Sequence, residues 1–375
     1  MKQRLLWMLA AILTFCGNLT IYGQDQDEQF SIATLNVDGL PQKLLVVNLN
    51  TDGPGSAGTA RIGKYLQGKS YDLVMMQEDF NYHDVLIVLL EDEYLFDEWS
   101  GDIGVEDRSI DFLHLQNHRF TCDGLMACWK NDLTVTPVGR TAWQKNFGKF
   151  SHANDEIVTK GFRRYDVTLR SGDGIVVYNM HMDATLTEDE IEGKDAKDTE
   201  ARMAQWLQLK DEVLQNLDSR PIIITGDLNS LYGRDDVKTQ FIDAINESGR
   251  ATVSDVWVEM RQKGVYPTEK RTETTAGDET LDKILYINPA LGTQIQPVTF
   301  SIDREGYQYD GKPLGDHYPV AATFKVLSDK STGIHALQDE KENATVDHAI
   351  YNLNGQRVSK SYKGIIITNG EKIIK

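Results

Sequence analysis

The sequence predicts a layered α/β domain that spans about residues 25 to 328. Short apolar runs alternate with amphipathic or loop-like stretches, and strands covered by helices on this scale pack as layers. The chain has 375 residues, which is long enough to bury a large core. The runs that indicate strands are 30–37, 71–78, 125–130, 174–182, 221–229, 282–287 and 318–326.

Three stretches predict helices that cover these strands, at 60–67, 82–92 and 199–217. The last is the clearest, because its apolar side chains recur with helical spacing. The residues expected on its buried face are Met203, Trp206, Leu207, Val213, Leu214 and Leu217. The segment 185–200 is rich in charge and predicts a solvated loop.

The N-terminal segment, residues 1–24, has the layout of a secretory signal peptide. Lys2 and Arg4 precede an apolar run, and small and polar residues follow it up to about Gly23. We therefore expect a secreted or outer-surface protein. An N-terminal membrane anchor is the alternative, and Cys16 is a weak candidate for lipidation because a bulky residue precedes it.

The composition changes at about residue 328. Residues 329–348 are polar and predict a linker, and 349–375 contain two β-like runs broken by turn residues. The runs YNLNGQRV and KGIIITNGEKIIK resemble the C-terminal tails of many secreted Bacteroidota proteins, which implies a sorting or anchoring role. A small β-hairpin packed on the main domain is the alternative.

Two cysteines remain once the signal peptide is removed, Cys122 and Cys128. In an oxidising compartment they could pair as a disulfide. Two buried free thiols are the alternative, and the spacing does not decide between them.

The charge of the chain argues against a polyanionic partner. The formal net charge is −18, and removal of Lys2 and Arg4 with the signal peptide takes it to −20. Such a surface repels nucleic acid unless a local basic groove overrides it. The densest basic cluster near a motif is KGFRR at 160–164. Nucleic acid is therefore disfavoured as a partner, although not excluded.

Polar side chains stand at the ends of several predicted strands. In PIIITGDLNS, Asp227 and Asn229 follow a buried run and lie two residues apart, so they share a face. Each such pair alone has an ordinary explanation as a turn. Recurrence at six strand ends instead predicts a ligand site, and the further members are Asn36, Asp38, Glu78, His181, Asp183, Asp282, Asp316 and His317.

These residue types suit metal-assisted hydrolysis of a phosphoester. The carboxylates of Glu78, Asp38 and Asp316 are hard oxygen donors of the kind that Mg²⁺ prefers. Asn229 and His181 can hydrogen-bond to phosphoryl oxygens as negative charge develops there. We expect Mg²⁺ as the cofactor, with Mn²⁺ or Co²⁺ as substitutes.

The catalytic proton transfers also have candidates. His317 can take a proton from the attacking water if a carboxylate such as Asp282 fixes its tautomer. Every role that the reaction requires therefore has a candidate side chain.

The strand-end motifs resemble those of the endonuclease/exonuclease/phosphatase superfamily. In the order of that family, they are TLNVDGLP, MMQED, NMHMDA, TGDLNS, LDKILY and GDHYPV, and they cover about residues 30–326. The resemblance implies a four-layered α/β sandwich, in which two packed β-sheets are flanked by helices. It also implies divalent-metal hydrolysis at the edge of the sheets.

The resemblance assigns metal and phosphate ligands. It implies that Glu78 is the principal metal ligand, with Asn36 and Asp38 nearby. It implies that His181 and Asn229 bind the phosphate, and Asn36 is a further candidate for that contact.

The resemblance also assigns the catalytic groups. Asp227 resembles the residue that orients or activates water, and Asp282 with His317 resembles the Asp–His pair of the family. His181 joins them as a catalytic candidate. The family differs at the position of Asp183, so no role is assigned to it.

Two stretches favour the sphingomyelinase-like branch, REGYQYDGKPLGDHYPVAATF and EDFNYHDVLIVLL. We therefore expect a secreted, monomeric, Mg²⁺-dependent phosphodiesterase that cleaves sphingomyelin to ceramide and phosphocholine at a membrane surface. No hairpin rich in Trp or Phe is evident for membrane contact, and the nearest candidates are Tyr307 and Tyr309. The alternatives are a secreted endonuclease or deoxyribonuclease, which NVDGL favours, an inositol or sugar phosphatase, and a catalytically inactive binding module.

Two other patterns are weaker. GPGSAG at 53–58 matches a dinucleotide-binding fingerprint, but Asp72 begins a strand where the fingerprint requires an acid at a strand end. A glycine-rich loop that leads into a helix is the better interpretation. HLQNH places His114 and His118 four residues apart without helical periodicity or a third ligand, so we expect surface residues.

Overall fold

The computed structural model divides the chain into two compact units, Met1–Ser328 and Asp329–Lys375. It describes residues 28–44, 47–48, 50–101, 122–148, 153, 155–184, 196–232, 237–264, 279–327, 350–352, 357–358, 365–368 and 371–374. The predicted signal peptide with Cys16, the predicted linker, and His114 with His118 lie outside the described residues. Their roles remain predictions.

The first unit is an α/β structure. In chain order its strands are β1 (Gln29–Asn36), β2 (Lys43–Leu44), β3 (Val47–Asn48), β4 (Leu73–Gln77), β5 (Tyr94–Phe96), β6 (Met126–Lys130), β7 (Thr134–Ala142), β8 (Gly161–Thr168), β9 (Gly174–His181), β10 (Ile222–Asp227), β11 (Ala251–Asp255), β12 (Asp282–Pro289), β13 (Gln294–Ile302), β14 (Gln308–Tyr309), β15 (Lys312–Pro313) and β16 (Val320–Leu327). Its helices are α1 (Gly55–Lys69), α2 (His83–Leu90), α3 (Ala196–Gln215), a π-helical turn (Lys238–Asp243), α4 (Ala244–Glu247) and α5 (Val256–Gln262).

Most of these strands form two six-stranded sheets. Sheet I has the order β13-β16-β1-β4-β6-β5, and sheet II has the order β11-β12-β10-β9-β8-β7. At the centre of sheet I, β1 pairs parallel with β4 and antiparallel with β16. At the centre of sheet II, β10 pairs parallel with β9 and antiparallel with β12. Two-stranded pairs, β2 with β3 and β14 with β15, lie outside these sheets.

Alternate side chains of the strands divide between two cores, as the period of a strand requires. In β4, Leu73 and Met75 join a core between the sheets, while Val74 and Met76 pack under α1 and α2. On the far side of sheet II, a third core joins Val176 to Trp206 of α3. Helix, sheet, sheet and helix therefore stack as four layers, and the predicted four-layered α/β sandwich is confirmed.

Each of the seven predicted strands is present, with ends that differ by a few residues. The strands that the sequence did not predict have weak or irregular apolar patterns. Most residues of β7 are exposed, and both β7 and β13 change register at a proline, Pro137 and Pro297. A central residue of β8, Arg163, is buried only because carboxylates pair with it.

The predicted apolar face of α3 was partly wrong. Trp206 and Val213 are buried, but Leu207 is 38% exposed. Leu207 lies about 100° around the helix from Trp206, and Leu209 fills the core in its place. The helix also begins at Ala196, inside the segment that was predicted to be a loop.

The described part of the second unit is a four-stranded antiparallel sheet. Its strands are β17 (Ile350–Asn352), β18 (Arg357–Val358), β19 (Ile365–Thr368) and β20 (Glu371–Ile374), in the order β18-β17-β19-β20. The sequence had indicated two β-like runs. A sorting or anchoring role for this unit remains a prediction.

Among the described residues, no helix has both the length and the hydrophobicity that a membrane-spanning segment needs.

Candidate active site

Strand register brings three of the predicted site residues together at one edge of sheet II. Asp227, the last residue of β10, lies opposite His181 of β9 on one side and Asp282 of β12 on the other. All three side chains are buried. Three strand ends that are far apart in the sequence therefore form one row.

Asn36 connects this row to sheet I. Its side-chain amide donates a hydrogen bond to Glu78 Oε1 at 3.0 Å and another to Asp227 Oδ2 at 3.2 Å. Its carbonyl oxygen accepts a hydrogen bond from the backbone N–H of Asp38 at 2.9 Å. Asn36 thus holds carboxylates from both sheets in one place, and its role as a ligand of metal or phosphate remains a prediction.

Three residues at the site have left-handed backbone conformations. The φ angles are 50° for Asp38, 56° for Glu78 and 46° for Asn229. This region is uncommon for residues other than glycine, and such residues concentrate at functional sites. The turn that follows each strand therefore aims a polar side chain into the site.

Glycines permit the close backbone contacts around these turns. A Cβ on Gly39 would lie 2.3 Å from the carbonyl oxygen of Glu78, and one on Gly226 would lie 1.9 Å from that of Met180. Both distances are far below van der Waals contact. Side chains at these two positions would push Glu78 and Asp227 out of place.

His317 lies between two carboxylates. Its Nδ1 is 2.6 Å from Asp282 Oδ2, and its Nε2 is 3.7 Å from Asp227 Oδ2. Although burial alone would lower the pKa of His317, the charges of Asp282, Asp316 and Asp227 raise it well above its usual range. His317 therefore holds a proton here, and its predicted role as a base requires that the neighbouring negative charge be compensated.

His181 is kept in the neutral form. Burial, together with the positive charge of Lys160, lowers its pKa to about 3. Its Nε2 is 3.4 Å from Asp227 Oδ2 and 3.9 Å from Glu78 Oε1. Within the described chain, its Nδ1 is buried without a hydrogen-bond partner. A neutral imidazole in this position can donate a hydrogen bond without titrating at physiological pH.

Asp227 is the ionised carboxylate of the site. Burial would raise its pKa, but the charges of His317 and Lys160 and the hydrogen bond from Asn36 lower it. The backbone N–H of Asn229 donates to Asp227 Oδ1 at 3.3 Å. Asp227 is therefore a charged acceptor that contacts both imidazoles.

An excess of carboxylates lies next to this row. Burial, then the charges of Asp316 and Glu78, raises the pKa of Asp38 to about 8. Burial also raises the pKa of Glu78, and Asp316 adds to that shift. The mutual repulsion of these carboxylates favours a nearby cation, and oxygen ligands suit Mg²⁺. Glu78, Asp38 and Asp316 remain the predicted ligands of a divalent metal.

Among the described residues, the possible ligand atoms that all lie within 4.8 Å of one another belong to Asp227, Asp282 and His317. Here Asp282 Oδ2 is already bound to the ring of His317 at 2.6 Å. This set is therefore better suited to hold a proton than a metal. The sequence had assigned the same three residues to catalysis.

Asn229 and Asp183 differ in their placement. The amide of Asn229 donates to the carbonyl of Met182 at 3.3 Å, which holds it beside the row. Asp183 instead accepts from the backbone N–H of Phe147 at 2.7 Å and lies near Asp155. Burial and that neighbouring charge raise its pKa to about 8. Asp183 is therefore a buried residue that supports the site and does not line its surface.

The sequence did not reveal the role of Lys160 and Asp155. Lys160 Nζ is 2.5 Å from Asp155 Oδ1 and 3.4 Å from the carbonyl oxygen of Met182, and both side chains are buried. Burial would lower the pKa of Lys160, but Asp155 and then Glu78 raise it. A buried positive charge therefore acts on the carboxylate of Glu78, the predicted metal ligand.

The basic cluster KGFRR is internal and paired. Arg163 binds Asp97 at 2.6 Å and Asp123 at 2.8 Å, and Arg164 is 3.3 Å from Asp166. Together with the Lys160–Asp155 pair, these contacts neutralise the cluster. It does not form a basic groove for nucleic acid.

Several other candidates have simpler roles. Cys122 and Cys128 are both buried, and no disulfide joins them. Tyr307 is fully buried against Tyr65, whereas Tyr309 is 51% exposed. GPGSAG begins α1 after the two-residue strand β3, so it lacks the long preceding strand that a dinucleotide site requires.

The family model described as "Endonuclease/Exonuclease/phosphatase family" matches residues 33–294. The chain belongs to this family. The resemblance inferred from the strand-end motifs is confirmed.

Curated relatives include sphingomyelinases of Mycobacterium tuberculosis and Mycobacterium bovis. Each is 27% identical to the chain over 327 residues, which is 86% of this chain and 57% of the relative. The chain thus spans little more than half the length of these relatives.

Solved structures share the fold at low identity. D. rerio TDP2 complexed with a single strand DNA product is 18% identical, with a TM-score of 0.53, and covers 80% of this chain and 100% of its own. An endonuclease/exonuclease/phosphatase from Bacteroides vulgatus is 16% identical, with a TM-score of 0.51, and covers 80% of this chain and 99% of its own. SmcL is 18% identical, with a TM-score of 0.50, and covers 79% of this chain and 99% of its own.

Proposed function

We propose that this protein is a secreted, divalent-metal-dependent phosphodiesterase that hydrolyses a sphingophospholipid, with sphingomyelin as the reference substrate. The products are ceramide and the phosphorylated head group. The observation that carries this proposal is the Asn36 amide, which holds Glu78 and Asp227 within hydrogen-bond distance of one side chain. The amide thereby holds Glu78, a carboxylate that can bind a metal ion, next to Asp227, a carboxylate that can orient water.

Glu78, Asp38 and Asp316 would hold the metal. Burial and mutual repulsion raise the pKa values of Asp38 and Glu78, and a bound cation would relieve that repulsion. Mg²⁺ matches the oxygen donors of the three carboxylates. A bound divalent ion supplies Lewis-acid polarisation of a phosphoryl oxygen.

The proton-handling residues are Asp227, Asp282 and His317. Asp227 is ionised and can orient the water that attacks phosphorus. Asp282 fixes the His317 ring through Nδ1, which leaves Nε2 directed toward Asp227. As the oxygen of water bonds to phosphorus, the bond from phosphorus to the ceramide oxygen breaks. The proton of the water passes to Asp227, and the ceramide oxygen takes the proton that His317 holds.

His181 and Asn229 are the proposed contacts to the phosphoryl oxygens. His181 is neutral and buried, so it donates a hydrogen bond without changing its charge. Asn229 is fixed by its hydrogen bond to Met182 and retains a second amide proton. Fixed donors of this kind stabilise charge that develops in the transition state.

Three observations support a lipid substrate. The sphingomyelinases of the two Mycobacterium species are 27% identical to this chain over most of its length. The net charge of −18 opposes long-range attraction to nucleic acid and to anionic membranes. The basic cluster near the site is paired internally. A zwitterionic lipid surface is the better electrostatic match for a secreted, monomeric enzyme.

A nuclease is the second candidate. Its support is the fold shared with D. rerio TDP2, whose structure contains a single strand DNA product. A phosphatase for inositol or sugar phosphates would use the same residues. An inactive binding module would keep them without turnover.

A side-by-side assay separates these candidates. The mature chain, residues 25–375, is offered sphingomyelin vesicles, plasmid DNA, inositol phosphates and bis-p-nitrophenyl phosphate, with Mg²⁺, Mn²⁺ or Co²⁺. We expect release of a phosphorylated head group from the sphingolipid to dominate. Rapid nicking of the plasmid with intact sphingolipid would contradict the lipid proposal. Absence of turnover of every substrate with every metal would favour the inactive module.

A further inference from the structure

A cavity of about 550 Å³ opens directly beside the candidate active site. It shares Asp38 and Asp316 with that site and extends away from them between α1 and the β14–β15 hairpin. Its volume is in the range of about 300–1,000 Å³ that small-ligand pockets occupy. Hydrolysis at the metal-ligand carboxylates makes no use of the remaining lining residues.

Two cations line this cavity without a charged partner. Within the described chain, neither Arg61 nor Lys312 forms an ion pair, and the contact of Arg61 is with the ring of Tyr309, 3.9 Å from its guanidinium carbon. Carboxylates are present on the same walls, at Asp52 and at the shared Asp38 and Asp316. Asp38 accepts a hydrogen bond from Asn50, another lining residue, so Arg61, Lys312 and Asp52 are the charged groups that the cavity offers to a ligand.

This lining does not suit a quaternary ammonium group. Proteins bind such cations in cages of aromatic rings. Tyr309 is the sole aromatic among the residues that line the cavity, and the guanidinium of Arg61 lies over its ring.

A second phosphate does not suit the cavity either. Its negative charge would lie near Asp52 as well as the carboxylates of the metal site. An acyl chain does not suit the cavity either, because it would remove water from the charged side chains of the lining without pairing with them. A neutral group with many hydroxyls can donate to Asp52 and accept from Arg61 and Lys312 at the same time.

We propose that this cavity is the head-group subsite of the enzyme, and that it selects a neutral polyhydroxyl head group, a cyclitol or sugar, over choline. The inference rests on the proposed phosphodiesterase function and specifies its substrate class. The lipid would then be a ceramide joined through phosphate to the polyol, and its products would be ceramide and the polyol phosphate.

The test compares two lipids that differ only in the head group. Ceramide phosphoinositol and sphingomyelin are each placed in phosphatidylcholine vesicles, and kcat/KM is measured from released inositol phosphate or phosphocholine. The variants are Arg61→Met, Lys312→Met and the two combined. Lys64→Met is the matched control, because Lys64 is an exposed lysine of α1 that does not line the cavity.

We expect the wild type to prefer the inositol lipid by about tenfold or more, since hydrogen bonds to charged groups provide at least that discrimination. Each single variant should remove most of this preference by lowering kcat/KM for the inositol lipid. Values for sphingomyelin should stay within about twofold. Lys64→Met should change neither substrate. Lys312 is exposed on a hairpin, so its variant is a valid test even if Arg61→Met does not fold.

Other outcomes identify which claim fails. Faster cleavage of sphingomyelin by the wild type, or equal losses on both lipids in the variants, would overturn the polyol assignment and leave the proposed phosphodiesterase intact. Hydrolysis of soluble glycerophosphoinositol with neither lipid cleaved would support the polyol subsite and overturn the sphingolipid substrate. Cleavage of bis-p-nitrophenyl phosphate alone would overturn both.

Discussion

Gln77 of sheet I donates a hydrogen bond of 2.7 Å to the side-chain oxygen of Asn179 in sheet II. This contact lies one residue before Glu78 and two residues before His181. Asn179 in turn donates to the backbone carbonyls of Met76 at 3.0 Å and Met126 at 2.9 Å. A buried polar bridge therefore fixes the position of one sheet relative to the other directly beneath the site.

We expect Asn179→Leu to destabilise the fold by about 2–4 kcal/mol, because Gln77 and two carbonyls lose partners in a dry core. Chemical denaturation measures the change in free energy of unfolding. The double variant Gln77→Leu with Asn179→Leu should be less destabilised than the sum of the single variants. Additive losses would show that the bridge is not a coupled unit.

Glu78→Gln should lower kcat by a factor of about 100 or more without unfolding the protein. The amide keeps the size of the side chain but removes the charge that the metal requires, and it also relieves repulsion from Asp38 and Asp316. In thermal denaturation, Mg²⁺ should raise the Tm of the wild type and not that of the variant. Glu91→Gln, at an exposed position, is the control. An unchanged Mg²⁺-dependent shift in the variant would locate the metal elsewhere.

Much of the site could be predicted from sequence because its residues stand at strand ends, and strand ends follow from short apolar runs. The registers of β9, β10 and β12 then bring His181, Asp227 and Asp282 together. Ion pairs between buried side chains could not be predicted in the same way. Lys160 reads as part of a solvated basic cluster, because only the fold shows that Asp155 neutralises it.

The edge strand β7 of sheet II was also not predicted from the sequence. β7 is almost entirely exposed and carries no alternating pattern, since it pairs with a neighbour on one side only.

The glycine-rich segment GPGSAG stood out in the sequence, but the sequence assigned it no function. In the structure Gly53 and Gly58 line the cavity, and a Cβ on Gly53 would lie 2.3 Å from the side-chain nitrogen of Asn50.

Asp282→Asn should reduce kcat about as strongly as His317→Ala, by a factor on the order of 100. An amide at position 282 can present a donor to Nδ1, which would favour the wrong tautomer of the His317 ring. The pre-steady-state rate and the Tm are measured for both variants. A much milder effect of Asp282→Asn would mean that the imidazole needs only to be present, whatever its orientation.

Lys160→Met should destabilise the fold by about 3–5 kcal/mol, because it leaves the buried carboxylate of Asp155 without its ion pair. The double variant Asp155→Leu with Lys160→Met should recover most of the stability, since both charges are then removed. Its activity should remain low, because Glu78 and Asp227 would lose a nearby positive charge. Full recovery of both stability and activity would show that Lys160 has no electrostatic role at the site.

The Arg163–Asp123 pair should make the fold sensitive to acid. Burial would raise the pKa of Asp123, but its hydrogen bonds with Arg163 and the charge of that residue lower it below 3.8. A carboxyl group whose folded pKa is depressed stabilises the fold fully above its unfolded pKa, and this stabilisation is lost as pH falls through the folded value. Asp123→Asn should therefore lower the Tm at pH 7, and its deficit relative to the wild type should shrink below about pH 4. Melting curves between pH 7 and pH 3 measure this difference, with Asp211→Asn as an exposed control. A deficit that stays constant over that range would mean that Asp123 contributes through packing and neutral hydrogen bonds, not through its charge.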